Sequence, residues 1–260
     1  MALPTVLITG ASTGIGATYA DRFARRGHDL VLVARDAARM QALATRLTAE
    51  TGVAVDVLAA DLTEEADLVR VETRLRDDAT IGILVNNAGA GLNGNFVDQP
   101  SDVVQKLIAL NTTSIVRLTS VIAPRLAQAG AGAIINIGSV VGLAPEFNMT
   151  VYGATKAFLL FLSQGLHREL APRGVHVQAV LPASTRTELW ERAGMGAALQ
   201  RDMMDAGELV DAALVGFDRR EEVTMPTLHD GALWDAFDAA RKAMIPHFEQ
   251  VLRADRYHAA

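Results

Sequence analysis

What most constrains this chain is a rhythm: short β-branched runs recur between longer helical patterns through its first 180 residues. The strand candidates are residues 5–9, 29–34, 53–58, 83–85, 133–137 and 175–180. Each is apolar on both faces, which suits a strand only when helices cover both sides of its sheet. The helical patterns 15–26, 36–50, 64–76, 102–129 and 152–170 fall between them. Parallel strands are joined by right-handed crossovers, so the alternation predicts an α/β fold with a doubly wound parallel sheet. Half of the 260 residues are hydrophobic and 21% are charged, which excludes a largely disordered chain. No repeat or linker interrupts the pattern, so one domain over residues 1–260 is expected. Past Pro182 the rhythm loosens into a helical stretch 208–217, a strand candidate 223–225 and a long helix 231–253 that Pro246 interrupts. A C-terminal helical extension is therefore expected over 229–255.

Charge and composition remove several function classes. With 24 basic and 30 acidic residues the net charge is −6, against the clustered Lys and Arg of a nucleic-acid footprint. The chain has no cysteine, which excludes disulfides, iron–sulfur clusters and thiol nucleophiles. The six histidines have no ligand spacing, so no metal site is expected. No segment reads as the ~20 apolar residues of a membrane helix, and the N-terminus lacks the basic leader of a signal peptide. A cytoplasmic location without membrane partners is the expectation.

The first strand runs into Thr9-Gly10-Ala11-Ser12-Thr13-Gly14-Ile15-Gly16. A glycine-rich turn between strand and helix lets backbone N–H groups approach a phosphate at the positive end of the helix. The spacing is G-x-x-x-G-x-G, not the commoner G-x-G-x-x-G. The same residues fit a G-x-S-x-G nucleophile elbow at Ser12, but that elbow needs an earlier strand–helix loop for its oxyanion hole. Further on, Tyr152 and Lys156 lie four apart on one helix face, and Ser139 ends the preceding strand. A free phenol has a pKa of about 10, so positive charge nearby is needed before tyrosine can exchange protons near neutrality.

Taken together these motifs resemble the short-chain dehydrogenase/reductase family over about residues 5 to 190: Thr9–Gly16, Asp61, Asn86-Asn87-Ala88-Gly89, Asn111, Ser139, Tyr152 with Lys156, and Pro182 to Thr187. The resemblance implies a Rossmann-type sheet and hydride transfer to or from nicotinamide C4, coupled to proton transfer at oxygen. It makes Tyr152 the general acid/base, with Lys156 holding the nicotinamide ribose and lowering the tyrosine pKa. Ser139 would hydrogen-bond the substrate oxygen, and Asn111 would anchor a proton-relaying water. Gly10, Ser12, Thr13, Gly14, Ile15 and Gly16 would cradle the cofactor phosphates. Asp61 and Leu62 would meet the adenine; Asn87, Ala88 and Gly89 would pass the cofactor; Pro182, Thr185 and Thr187 would reach the nicotinamide end. The family's Pro-Gly-x-Val-x-Thr reads here Pro182-Ala183-Ser184-Thr185-Arg186-Thr187, which puts the loop path in question because alanine tolerates positive φ poorly.

Strand two ends Ala34-Arg35-Asp36. An arginine there can clamp a 2′-phosphate, and Asp36 reads as the cap of the next helix, so NADP is favoured over NAD. The leading expectation is an NADP(H)-dependent carbonyl reductase or alcohol dehydrogenase. The alternatives are a nucleotide-sensing protein without turnover, which the complete Ser139, Tyr152, Lys156 and Asn111 set disfavours, and an epimerase or dehydratase, whose relatives are longer. A mobile lid is expected around 187–207, where methionines and Gly194, Gly196 and Gly207 gather. It would lie over an apolar pocket bordered by Leu92, Phe96 and residues 140–149. An uncharged, medium-sized ketone or secondary alcohol follows, with Arg186 and Arg192 as the cations that could argue otherwise. Apolar residues on more than one face of 102–129 and 152–170 predict a homo-oligomer, a dimer or tetramer.

Overall fold

The computed structural model describes residues 3–188 and 203–258. The strands are β1 (Thr5–Thr9), β2 (Leu30–Ala34), β3 (Val55–Ala59), β4 (Ile81–Asn86), β5 (Ala133–Ile137), β6 (His176–Val180) and β7 (Val223–Thr224). They form one parallel sheet in the order β3-β2-β1-β4-β5-β6-β7. The expected strands stand within a few residues of their sequence bounds. β3 departs from the apolar pattern because it is an edge strand, and Asp56 faces water; β6 departs too, with His176 and Gln178 buried.

Alternation along each strand sorts the core into two layers. Val6, Ile8, Val85 and Ile135 pack with Tyr19 and Phe23 of α1 (Gly14–Arg25), Met40 and Leu47 of α2 (Ala37–Thr51), and Leu209 of α7 (Ala206–Asp218). Leu7, Leu84 and Ile134 pack with Val71 of α3 (Glu65–Asp77), Leu118 and Ile122 of α5 (Ser114–Ala129), and Leu170 of α6 (Thr150–Leu170). Fully burying one such aliphatic side chain is worth about 1.5–3 kcal/mol, so both layers hold the sheet rigid. The chain leaves β1 toward β3 and returns to β4 on the other side. The strand order therefore reverses beside β1, where the carboxyl ends of the strands open a crevice.

Two helical expectations are corrected. The 102–129 pattern is α4 (Ser101–Ile108), a π-helical turn (Ala109–Thr113) and α5. Taken together, Ser101–Ala129 is also long and apolar enough, by length and composition alone, to cross a membrane, contrary to the sequence expectation. Much of that apolarity belongs to the face laid on the sheet, with Leu118, Ile122 and Leu126 buried. The expected helix 231–253 stops early: α8 (Ala232–Ala243) gives way to a 3₁₀ turn at Ile245–His247, where Pro246 supplies no N–H.

The chain divides into two compact units, Met1–Pro226 and Thr227–Ala260. The second contains α8, on which Trp234 and Phe237 stack with ring centroids 5.5 Å apart and Asp238 pairs with Arg241 and Lys242. Most of the expected lid, including Trp190, Arg192, Gly194 and Gly196, lies outside the described residues.

Candidate active site

β1 delivers the chain into the glycine loop, and the loop is shaped by residues after β4. The Thr9 hydroxyl, buried, donates to the Val85 carbonyl (3.3 Å) and accepts from the N–H groups of Asn87 and Ala88 (3.0 Å each). The Asn87 amide donates back to the carbonyls of Thr9 (2.9 Å) and Gly10 (3.2 Å). A Cβ on Gly16 would stand 2.4 Å from that amide nitrogen, and one on Gly10 2.8 Å from it. Gly10 (φ +67°) and Gly14 (φ +55°) also occupy the left-handed region, so neither tolerates a side chain without strain. α1 then begins at Gly14 with Thr13 extended before it, no side-chain cap and no acidic residue in its first turn. Its first N–H groups and its positive end are thereby left for an anion.

The second half of the site comes from β5 and α6. Tyr152 and Lys156 sit on the buried stripe of α6, each 5% exposed, and Ser139 at the end of β5 is 7% exposed. Ser139 Oγ accepts from the Val141 N–H (3.2 Å) and donates to the Pro182 carbonyl (3.3 Å), joining the loops after β5 and β6. Lys156 Nζ donates to the Ile137 carbonyl (2.9 Å) and lies 5.6 Å from the centre of the Tyr152 ring. Ile15, Asn87, Gly89, Ser139, Tyr152 and Lys156 line one cleft with Pro182, Thr185 and Thr187, so the glycine loop and the proton-transfer set face the same space. A wider depression outside α1 is lined by Asp21, Arg22, Arg25 and Arg46, whose charges pair with one another (Arg25–Asp21 3.0 Å, Arg46–Asp21 3.1 Å).

Burial governs the titration of both central groups. It lowers Lys156 to about 8, and raises Tyr152 to about 12 with the interaction between Tyr152 and Ser139 offsetting part of the rise. The expectation that Lys156 depresses the tyrosine is therefore not met in the protein alone. The ammonium lies 5.6 Å from the ring centre and donates to the Ile137 carbonyl, and burial disfavours its charge. At neutral pH the phenol carries its proton.

Asn111 lies in the π-helical turn and is fully buried. Its Oδ1 accepts from the Ala90 N–H (2.9 Å), and its Nδ2 donates to the Ala90 carbonyl (3.0 Å) and to Thr155 Oγ1 (3.1 Å). Thr155 in turn donates to the Tyr152 carbonyl (2.7 Å), so Asn111 ties the segment after β4 to the second turn of α6.

At the other end of the crevice Arg35 follows β2, 72% of its side chain exposed, its Nη1 3.7 Å from Asp61 Oδ2. Asp61 Oδ1 accepts from the N–H (3.0 Å) and hydroxyl (2.7 Å) of Thr63, which stiffens its own turn instead of capping α3. Partial burial pushes the Asp61 carboxyl up, but the Thr63 bonds and the Arg35 charge carry it below its ordinary value. Leu62 is buried beside it. Asp36 caps α2 as expected, accepting from the Arg39 N–H (3.0 Å). Ala183 is not among the residues with positive φ, so alanine stands there without backbone strain. Thr187 reaches Gly14: a Cβ there would stand 3.0 Å from the threonine methyl.

Sequence reasoning passed over Thr9, Ala90, Ile137 and Thr155 as site residues. Two of them act through main-chain groups, which no side-chain pattern reveals. Thr155 stands inside the Tyr-x-x-x-Lys motif, so its neighbourhood was the available signal.

A sequence model of the short chain dehydrogenases matches residues 4–198. The very-long-chain 3-oxoacyl-CoA reductase of Bos taurus is 35% identical over 187 residues, 70% of this chain and 60% of that one. The chain thus spans about 60% of the length of the curated relatives it matches. A short-chain dehydrogenase from Sphingobium yanoikuyae, solved in complex with NADPH, is 64% identical with a TM-score of 0.96, covering 98% of this chain and all of that one. The bulky-bulky ketone specific alcohol dehydrogenase from Comamonas testosteroni is 56% identical with a TM-score of 0.93 and full coverage of both chains.

Proposed function

The chain belongs to the short-chain dehydrogenase family, and from that premise we propose that it is an NADP(H)-dependent oxidoreductase interconverting a ketone and its secondary alcohol. One observation carries the reading: the buried Ser139, Tyr152 and Lys156 share a cleft with the glycine loop. The residues present fit a dinucleotide. Gly10 and Gly16 let the loop close tightly against Asn87 and its own backbone, the start of α1 is uncapped, and Arg35 stands exposed at the end of β2 where it can meet a 2′-phosphate. Gly10, Ser12, Thr13, Gly14, Ile15 and Gly16 would hold the phosphates, with Asp61 and Leu62 at the adenine. Asn87, Ala88, Gly89, Lys156, Pro182, Thr185 and Thr187 would hold the nicotinamide half. When bound, the nicotinamide supplies or accepts the hydride.

The protein's own part is proton handling and orientation. In the reducing direction Tyr152, protonated at neutral pH, gives its phenolic proton to the carbonyl oxygen as that oxygen becomes an alkoxide. Ser139 donates a hydrogen bond to the same oxygen. Lys156, its Nζ 5.6 Å from the centre of the tyrosine ring, would hydrogen-bond the ribose of a bound cofactor and, when charged, would favour the phenolate left behind. The Asn111 side chain is committed to Ala90 and Thr155, so a relay water at this residue uses its main chain.

Apolar side chains near the carboxyl edge, with Phe96 and Phe147 more than half exposed, support an uncharged, bulky substrate. The Comamonas relative's specificity for bulky ketones points the same way. Exposed Phe158 and Phe161 on α6 and Ile108 and Val116 on α4 and α5 support a homo-oligomer. A cytoplasmic location completes the proposal. The test is NADPH oxidation, followed by absorbance, with aryl ketones, charged keto acids and 3-oxoacyl thioesters. Turnover of the aryl ketones is expected; turnover of the thioesters alone would replace the substrate class, and no turnover with any would overturn the reading.

A further inference from the structure

We propose that Asn136 and Ser163 are positioning residues for Lys156, setting the seat of α6 on β5; this rests on the reductase reading above. The two residues lie in a line of buried polar groups crossing four elements. Asn86 on β4 and Asn136 on β5 are direct register partners. Asn86 Nδ2 donates to Asn136 Oδ1 (2.9 Å) and to Thr119 Oγ1 on α5 (3.2 Å). Asn136 Nδ2 donates to Ser163 Oγ on α6 (2.9 Å), and Ser163 donates to the Leu159 carbonyl (2.7 Å). Asn136 is fully buried, and Asn86 and Ser163 are 1% exposed.

The line ends beside the lysine. Ile137, next in the strand after Asn136, provides the carbonyl that receives Lys156 Nζ. Ser163 is seven residues beyond Lys156, two helical turns along the same stripe. α6 is therefore pinned to β5 at two neighbouring strand residues, one bond made by the lysine itself and the other by Asn136 to Ser163.

Stability is a poor reason for these amides. Two residues earlier on the same face the strands carry Leu84 and Ile134, both fully buried in the apolar layer. Asn86 Oδ1 is buried without a hydrogen-bond partner among the described residues, which costs the fold. Apolar side chains would fill this space without that cost, but they would leave α6 free to slide along the sheet. A directional bond fixes the register of α6, and with it the depth of the lysine.

The test uses the fact that lysine occurs only at positions 106, 156 and 242, so ¹³C-lysine NMR of the protein gives three signals. Burial is what lowers Lys156, and no charged group among the described residues contributes. In the protein without cofactor, Ser163→Ala and Asn136→Leu are expected to move the Lys156 midpoint upward by half a pH unit or more, with Lys106 and Lys242 unmoved. With saturating NADPH and a ketone that the wild type reduces, kcat should fall at least fivefold while the ketone KM stays within twofold. Ser163→Thr, which keeps the hydroxyl, should restore both readouts. Ile134→Val, on the same face but outside the polar line, should lower Tm and change neither. A wild-type Lys156 midpoint and wild-type kcat in Ser163→Ala, with only Tm reduced, would overturn the proposal. Should Asn136→Leu fail to fold, Ser163→Ala decides alone. Absence of ketone reduction by the wild type would defeat the functional reading instead, and the lysine midpoints would still decide the positioning role.

Discussion

Replacing Lys156 with Met is expected to stabilise the cofactor-free protein while abolishing its activity. The ammonium is almost fully buried with the Ile137 carbonyl as its hydrogen-bond partner, and burial brings its pKa from 10.5 to about 8. At about 1.4 kcal/mol per pKa unit, carrying that charge at pH 7 costs the fold about 3 kcal/mol. Loss of the hydrogen bond offsets about 1 kcal/mol of the relief, independently of pH. The sign of the pH dependence follows from proton counting. Between about 8 and 10.5 the unfolded lysine keeps its proton and the folded one has lost it, so wild-type stability rises with pH. The Met variant has no such rise, and its advantage should shrink by about 1.4 kcal/mol from pH 7 to pH 9. Tyr19 and Tyr152, both raised by burial, titrate above this window and are common to the two proteins. Urea unfolding of both proteins at pH 7 and pH 9, followed by circular dichroism, measures the difference. A stability difference that stays constant across the two pH values would refute the reasoning.

Tyr152→Phe should lower kcat at least 100-fold while the NADPH Kd stays within about twofold, because the phenol moves a proton and holds no phosphate; a smaller loss would remove its acid/base role. Arg35→Ala should weaken NADPH binding by about 10- to 100-fold in a fluorescence titration and leave NADH binding nearly unchanged; equal losses would mean that Arg35 does not read the 2′-phosphate. The kcat/KM for a bulky aryl ketone should exceed that for a charged keto acid of similar size, and a preference for the acid that Arg186→Ala removes would reverse the substrate class. Light scattering at micromolar concentration should give a multiple of 27.7 kDa, with Phe161→Asp shifting the mass downward if α6 forms the contact; a monomeric wild type would refute the assembly.

The parallel sheet, its two covered faces and most of the strand bounds were legible in the chain because they rest on local chemistry. Leu30–Ala34 is apolar throughout and Ala133–Ile137 is so but for Asn136, and burial on both sides accommodates such runs. The Tyr152–Lys156 spacing and the glycine loop were legible for a similar reason: helix periodicity and the need for bare backbone are written in neighbouring residues. Asn111 is unfavourable within a helix, which marks it for a kink or a buried hydrogen bond, and the structure has both. That its partners are the distant Ala90 and Thr155 was not legible.

The same division holds at the candidate site. The family resemblance carried by these motifs implied the chemistry of Ser139, Tyr152 and Lys156. Only the packed molecule decided that burial would raise the tyrosine and lower the lysine, because desolvation depends on what lies around a group and not on its neighbours in the chain. Only packing, too, decided that Lys156 turns to the carbonyl of Ile137, and that Asn87, more than seventy residues away, crowds the space a side chain on Gly10 or Gly16 would need. Sequence order sets which groups a turn or a helix face can offer. Which of them lose water, and which carbonyl or amide they meet when they do, is settled by contacts that close only once the sheet and its helices are assembled.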